Sequence, residues 1–463
     1  MNIKATCLEG NVIESLWRNL EKSKFVRAGL IAICLAAMLA TGAVLVKNSM
    51  YDADSIFDIE IFYTTGSMWN AGEDPYDEQL FAQRYYELTG KEAIPSVFYP
   101  PQGLVLFSVF PYMPFDTARL ALLFTNWVLL IVSLGLMILI LSRHTRIRIY
   151  EVTFLILLLG TSFGRTTLRC SQLSIVVAVL LFATYLFQQS RKDALAGGML
   201  SLLTFKPTFV PLLALYYLLR KKIKILAVLI VGGAVLTILP VLATGRPLIP
   251  TLINWLKMLS IVSAEGGNNS PDPSILWSGF LIHLEPLLYR ILGAQSTFGF
   301  FVYVGIISAL IVGASILIYK TEPSQKNDLL DFALVSAISA IAVYHRNYDI
   351  FLLFPGLIAI YVHMIRSSGF KQQFLWGVVL TGILLVLLAP NDILIRATYT
   401  NPALSESYFW RVVSPLLGWT SLAVTGILFW LKAHSLKVSR STGTQTEFEA
   451  LKRLRQVEVN PGH

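Results

Sequence analysis

An all-helical, polytopic membrane fold is what this sequence predicts, and three observations carry it. The 463-residue chain is 55% hydrophobic and only 14% charged, with a mean hydropathy of +0.63. Soluble domains carry roughly 25% charged residues, so this composition excludes an ordinary water-soluble enzyme. Apolar runs of the roughly 20 residues that a spanning helix needs recur along the chain. The net charge of +9, 37 basic against 28 acidic residues, falls largely in short basic clusters between those runs. That distribution is the positive-inside pattern and argues against a nucleic-acid partner.

The first span is read at 26–46, behind Arg18, Lys22, Lys24 and Arg27, which puts the N-terminus in the cytoplasm. Residues 1–24 lack the apolar core and small-residue cleavage site of a removable signal peptide, so this span is expected to remain. Residues 47–102 form the first extracytoplasmic loop, polar and aromatic, with ten carboxylates against Lys47, Arg84 and Lys91. Spans at 117–141, 150–164 and 173–189 follow, with the basic loop "SRHTRIRI" after the first of them. The next stretch, "ALAGGMLSLLTFKPTFVPLLALYYLLRKKIK", has two apolar halves of about a dozen residues, roughly 18 Å of helix each. Each half is too short to cross alone, and basic residues flank both outer ends. Two short helices meeting at Lys206-Pro207 on the outer side satisfy both facts, since proline ends or kinks a helix. Such a broken pair with an ionisable residue at its apex lines a polar cavity rather than lipid.

Further spans fit at 224–243, 297–319, 329–343, 350–365, 373–389 and 412–431. The total is about twelve helices in one transmembrane unit, 1–433, with both termini cytoplasmic. Segment 244–292 reads as extracytoplasmic and partly interfacial, and 434–463 as a flexible basic cytoplasmic tail in which "EFEALKRLRQ" can form a surface helix. Cys7, Cys34 and Cys170 are too few and too scattered for a disulfide framework, and six dispersed histidines form no metal-ligand pattern. No metal and no cofactor is expected.

With this alternation, the polar residues at the outer membrane edge are Asp58, Tyr63, Tyr99, Arg165, Arg169, Gln172, Lys206, His345, Arg346 and Asp349. A base among several cations at one depth suits an anionic lipid substrate. Asp58 also fits a structural role, because Ser55-x-x-Asp58 is a helix-start pattern and the acid favours the positive helix end. Asp58, Phe62, Thr65 and Trp69 share one helical face, expected to press on membrane or substrate. "FYPPQG" (98–103) opens a helix after a rigid Pro-Pro, with Tyr99 held extended. Lys206 is expected to bear on binding rather than on folding; snorkelling to outer headgroups is its structural alternative.

The pieces "FDIEIFYTTGSMWNAGEDPY", "VFYPPQGLVLFSVFPYMP", "CSQLSIVVAVLL" and "AGGMLSLLTFKPTFVPLLALYYLLRKK" occur in an order that resembles the family 87 glycosyltransferases. These are multi-spanning bacterial enzymes of the GT-C class. The resemblance covers residues 55–222 closely and the C-terminal half loosely, through "YHRNYDIFLLFPGL". It implies a GT-C-type bundle and transfer of a hexose, mannose by analogy, from a polyprenyl-phosphate donor to a lipid or glycan hydroxyl. The reaction would proceed with inversion on the extracytoplasmic face of the cell inner (plasma) membrane. Asp58 matches the family's catalytic aspartate, and Tyr63, Tyr99, Arg169, Gln172, Lys206, His345 and Arg346 are the matching substrate-binding candidates. The family's small-Gln-Asn element reads Ser171-Gln172-Leu173-Ser174 here, with leucine in the asparagine position. A transporter or flippase for a lipid-linked or anionic solute uses a similar membrane carboxylate and broken helices and is the alternative; a non-catalytic assembly subunit, with Asp58 only a cap, is a third.

Overall fold

The computed structural model describes residues 24–50, 57–92, 97–264, 269–272, 276–292, 296–367, 369–401, 404 and 407–458. Among them regular structure is helical, with one isolated antiparallel bridge between Leu281 and Arg346. Helix α1 (Lys24–Ser49) carries the first long apolar run, between Arg27 and Lys47. The loop expected after it, 47–102, holds two helices, α2 (Phe57–Asn70) and α3 (Glu78–Thr89), and the start of a third, α4 (Pro101–Phe107). Asp77 starts α3 by accepting from the backbone N–H groups of Gln79 and Leu80, and Gly90 ends it with φ 67°. Pro101 begins α4, where a missing N–H is no loss. The expected Ser55 cap lies outside the described residues.

These three helices form a cap packed by aromatic rings. Phe62 stacks on Phe107 with centroids 4.4 Å apart. The Arg246 guanidinium lies 3.9 Å over the Trp69 ring and donates to the carbonyls of Trp69 and Glu73 at 3.1 and 2.6 Å. The helical face expected to press on membrane or substrate is therefore spent on protein contacts. Phe62, Thr65 and Trp69 are buried, while Asp58 in the first turn stays partly exposed.

Helix α5 (Phe115–Ser142) leads to α6 (Ile149–Leu159), which stops short of the expected 164. The chain breaks at Gly160-Thr161, where the Thr161 hydroxyl donates back to the Leu158 carbonyl at 2.7 Å. A separate amphipathic helix, α7 (Ser162–Cys170), follows, and a left-handed Ser171 (φ 56°) turns it into α8 (Ser174–Gln189). The expected break then appears. Helix α9 (Asp193–Leu203), a 3-10 turn at Pro207–Phe209 and α10 (Pro211–Leu219) meet around Lys206, with Pro207 and Pro211 unable to continue the hydrogen-bond ladder.

Helices α11 (Ile223–Ala243), α12 (Leu248–Ser263), α13 (Leu284–Leu292), α14 (Thr297–Lys320) and α15 (Gln325–Ala342) come next. A 3-10 turn at Asn347–Leu353 opens α16 (Phe354–Arg366), followed by α17 (Phe370–Leu388), α18 (Asn391–Thr400) and α19 (Tyr408–Val413). The last span does not stop at the membrane edge: α20 (Leu416–Glu458) runs on as one helix.

Among the described residues seven helical segments are long and apolar enough to cross a membrane, including Phe115–Ser142, Ile223–Ala243, Thr297–Lys320 and Phe370–Leu388. Leu39, Phe124, Ile131, Ile230, Phe298 and Phe301 are 67–74% exposed, a cost in water that lipid removes. The protein is a polytopic helical membrane bundle. At its centre lie α8, α15 and α16, whose residues are buried on nearly every side.

The α9–α11 contact shows how closely backbones approach where lipid provides no hydrophobic drive between helices. Gly197 faces Ile225 and Val228, and Ser201 faces Gly232: a Cβ on Gly197 would meet the Ile225 carbonyl and the Val228 Cβ at 2.7 Å, and one on Gly232 would meet Ser201 Oγ at 2.4 Å. Gly198, one position round, meets nothing within 4 Å. Gly197→Val should lower stability by about 1–3 kcal/mol through overpacking. Gly198→Ala should be neutral or gain up to about 1 kcal/mol from helix propensity. Thermal unfolding of the purified protein in detergent separates the two, and equal midpoints would refute the close approach.

Candidate active site

Four segments remote in sequence converge at one end of the bundle. They are the first turn of α2, the α7–α8 turn, the α9–α10 hinge and the irregular stretch 343–353. Each is a place where a regular helix starts, stops or tightens, so backbone and side-chain polar groups are free to turn inward.

The innermost layer is an ion pair. Lys206 Nζ lies 3.1 Å from Asp349 Oδ1 and donates to Ser174 Oγ at 3.1 Å; Ser174 in turn donates to Asp349 Oδ1 at 2.7 Å. The other carboxylate oxygen, Asp349 Oδ2, lies 3.3 Å from His345 Nδ1. Lys206 also sits over the rings of Tyr348 and Phe209, 5.1 and 5.5 Å from their centroids. Side chains of Lys206, Asp349 and His345 are 10%, 5% and 0% exposed. A buried charge of either sign is tolerable only when paired and hydrogen-bonded, and this network supplies both conditions.

Above it lies Asp58. Its carboxylate is hydrogen-bonded by the Gln172 side chain and lies in the fields of Arg346 and Lys206. Burial is the largest influence and pushes the Asp58 carboxyl up to about 6, against the opposing pull of Arg346, the Gln172 hydrogen bond and Lys206. Arg346 is itself oriented: its Nε donates to the Tyr344 hydroxyl at 2.5 Å and its Nη2 to Asn269 Oδ1 at 3.3 Å. The backbone is fixed by the Leu281–Arg346 bridge and by the Ile282 N–H donating to the His345 carbonyl at 3.0 Å. Two buried polar atoms here have no protein partner, Gln172 Oε1 and His345 Nε2. Unsatisfied buried groups next to a carboxylate and a guanidinium suit a substrate that brings its own hydroxyl and acceptor groups.

The sequence-based candidates divide accordingly. Asp58, Gln172, Lys206, His345 and Arg346 come together. Tyr99 borders them, its buried ring against Phe98 and Phe107 with centroids at 5.0 Å, and its hydroxyl feels Asp58, Asp349 and Arg346. Arg169 stands one residue back, hydrogen-bonded to the Cys170 thiol, which lies in the field of Asp58. Tyr63 is elsewhere: its hydroxyl donates to the Met113 carbonyl at 3.1 Å and its ring packs edge-on against Phe115. Arg165 donates to the Ala389 carbonyl at 2.8 Å. Ser174, Tyr344, Tyr348 and Asn269 were not singled out from sequence, and Asp349 was not given a partner there. The His345-to-Asp349 spacing of four residues was the one available signal. Among the described residues no group of three or more His, Cys, Asp or Glu side chains could hold a metal.

A helical membrane bundle that encloses a carboxylate, a guanidinium and unsatisfied polar atoms at one of its ends has the makings of an enzyme. The family comparison agrees. Residues 98–355, more than half of the chain, match the model of glycosyltransferase family 87, and the chain belongs to that family. It is a membrane glycosyltransferase. The matched stretch includes Tyr99, Arg169, Gln172, Lys206, His345 and Arg346, and Asp58 precedes it. No curated protein and no solved structure matches the chain.

The ion pair changes what Lys206 can be expected to do. Its charge is already matched by Asp349, so Lys206→Ala should strand a buried carboxylate and lower stability by about 3–5 kcal/mol. Replacing both partners, as Lys206→Met with Asp349→Leu, should recover much of that loss in thermal unfolding. A single Lys206→Ala variant as stable as the parent would rule out the pair as a structural element.

Proposed function

We propose that the protein transfers a hexose, mannose by family resemblance, from a polyprenyl-phosphate donor to a hydroxyl of a lipid or glycan acceptor, with inversion and with Asp58 as general base. The observation that carries this reading is the Asp58 carboxylate, partly exposed, hydrogen-bonded by Gln172 and facing Arg346. Its pKa of about 6 suits a base that is ionised at neutral pH yet willing to take a proton.

In this mechanism the acceptor O–H donates its proton to Asp58 as the oxygen attacks the anomeric carbon. The bond from that carbon to the phosphate oxygen breaks, and its electron pair leaves with the lipid monophosphate. Arg346, with Arg169 nearby, stabilises the charge that grows there. Lys206 contributes by fixing Asp349 and the field around Asp58, not as a free phosphate ligand.

The orientation rests on charge. Helix α8 has Ser174 at the site end and Arg191-Lys192 beyond the other, and α10 likewise runs from the Lys206 hinge to Arg220-Lys221-Lys222. Basic turns stay in the cytoplasm, so the site opens to the extracytoplasmic face of the plasma membrane.

Asp58→Asn keeps the shape and the link to Gln172 but cannot accept a proton, and should slow sugar transfer by about 10²–10⁴-fold. Undiminished transfer by this variant would remove the base from the mechanism. The parent's kcat/KM should fall about tenfold per pH unit below about 6, as Asp58 protonates. A profile flat down to pH 5 contradicts it. Glu60→Gln, two residues on, is no silent control, because Glu60 accepts from the Tyr85 hydroxyl at 2.6 Å and from Lys91 at 2.7 Å.

A further inference from the structure

At the end of the bundle away from Asp58, roughly 24 Å along the 16 residues of α8, a cleft of about 310 Å³ opens among Arg191, Arg220, Lys222, Ser324 and Asp328. It is separate from the site described above, and three features of its wall concern charge.

The first is an unbalanced buried cluster. Arg220 and Lys432 both pair with Asp331, and the three side chains are 6%, 0% and 0% exposed. Two cations share one carboxylate, so one positive charge is left over in the wall. Arg220 lines the cleft, and its Nε finds no acceptor although it is buried. A buried charge without a counter-charge is unfavourable, so an anion in the cleft would relieve it.

The second is a backbone choice. The α8–α9 and α10–α11 turns are built alike, with Arg191 and Lys221 in the left-handed region at φ 58° and 55°. In the first, the N–H groups of Arg191 and Lys192 bond to the Gln188 and Phe187 carbonyls; in the second, those of Lys221 and Lys222 bond to Leu218 and Tyr217. This helix ending favours glycine, since a side chain is strained there. The positive-inside rule accounts for basic residues in these turns but not for their use at the strained position. Arg191 lines the cleft and Lys221 does not.

The third is balance along the rim. Lys222 is 3.5 Å from Asp193, and Asp328 accepts from Gln189 at 3.0 Å. With Arg220 and Lys222 already paired to Asp331 and Asp193, the lining sets Arg191 against Asp328, and the N-terminus of α15 at Ser324 adds positive potential.

We propose that this cleft binds a phosphate group, carried either by a small soluble phosphomonoester or by the headgroup of an anionic phospholipid in the adjoining leaflet. Its volume is at the lower limit for ligand pockets, enough for a headgroup and too small for a large nucleotide conjugate.

The test uses the full-length protein in nanodiscs, with its thermal midpoint as readout. In phosphatidylcholine discs, inorganic phosphate and glycerol 1-phosphate are titrated against sodium chloride of equal ionic strength. A second arm compares phosphatidylglycerol with phosphatidylcholine discs in the absence of soluble phosphate. Binding stabilises in proportion to occupancy, so a saturable rise is expected in at least one arm. A rise with the soluble probes identifies a soluble ligand, and one confined to phosphatidylglycerol identifies the lipid. Arg191→Gly relieves the backbone and removes the cleft cation, so it should weaken the response at least about tenfold without lowering the basal midpoint. Lys221→Gly relieves the same backbone strain outside the cleft and should leave the response intact. No saturable rise in either arm, a rise that sodium chloride reproduces, or a response that Arg191→Gly leaves unchanged or that both variants lose alike would each overturn the proposal.

Discussion

The buried pair between Lys206 and Asp349 is the constraint around which the site end of this protein is arranged. A lysine ammonium at membrane depth needs a counter-charge, and a carboxylate there needs donors. Meeting both requires two helix pairs to stop at the same depth. The α9–α10 hinge stops through Pro207 and Pro211, and the 347–353 turn tightens into 3-10 geometry before α16. Ser174 at the first turn of α8 completes the coordination, so three segments are fixed by one cluster of polar atoms. Once 343–353 is held there, His345 stays inside against Asp349 and Arg346 is placed beside Asp58, which the cap helix α2 brings.

The cap is the second element that matters for function. A loop of 47–102 with ten carboxylates would be mobile if its charges were simply solvated. Its aromatic residues instead make a packed unit, with Tyr76 donating to the Tyr99 carbonyl at 2.7 Å and Trp255 of α12 donating to the Phe98 carbonyl at 3.0 Å. The base proposed at this helix start is held in a fixed position relative to Gln172 and Arg346, and positional precision is where much of an enzyme's rate advantage originates.

Much of this was legible in the sequence because the signals are local. Composition and apolar runs give the bundle, the Lys-Pro pair between two half-length runs gives the broken helix, and Asp58 stands out as an acid at a helix start. What was not legible depends on distance in sequence. Lys206 and Asp349 are 143 residues apart, and nothing in either neighbourhood says that the two charges cancel. The same holds for the orienting contacts of Arg346 to Tyr344 and Asn269. The Gly160 break that frees α7 from α6 has no such signal, because no charged residue falls between Glu151 and Arg165 to end the span sooner. Tyr63 shares a helix with Asp58, but five residues round the helix it faces the start of α5 rather than the site.

The central claim is that one carboxylate activates the acceptor for a direct displacement at the anomeric carbon. Product stereochemistry tests it most directly. Purified protein would be given polyprenyl-phosphate mannose of defined anomeric configuration and a membrane-lipid acceptor extract, and the new glycosidic linkage read by NMR. Inversion of configuration is the result this account predicts. Retention would require a covalent or otherwise two-step path and would contradict Asp58 as a simple base.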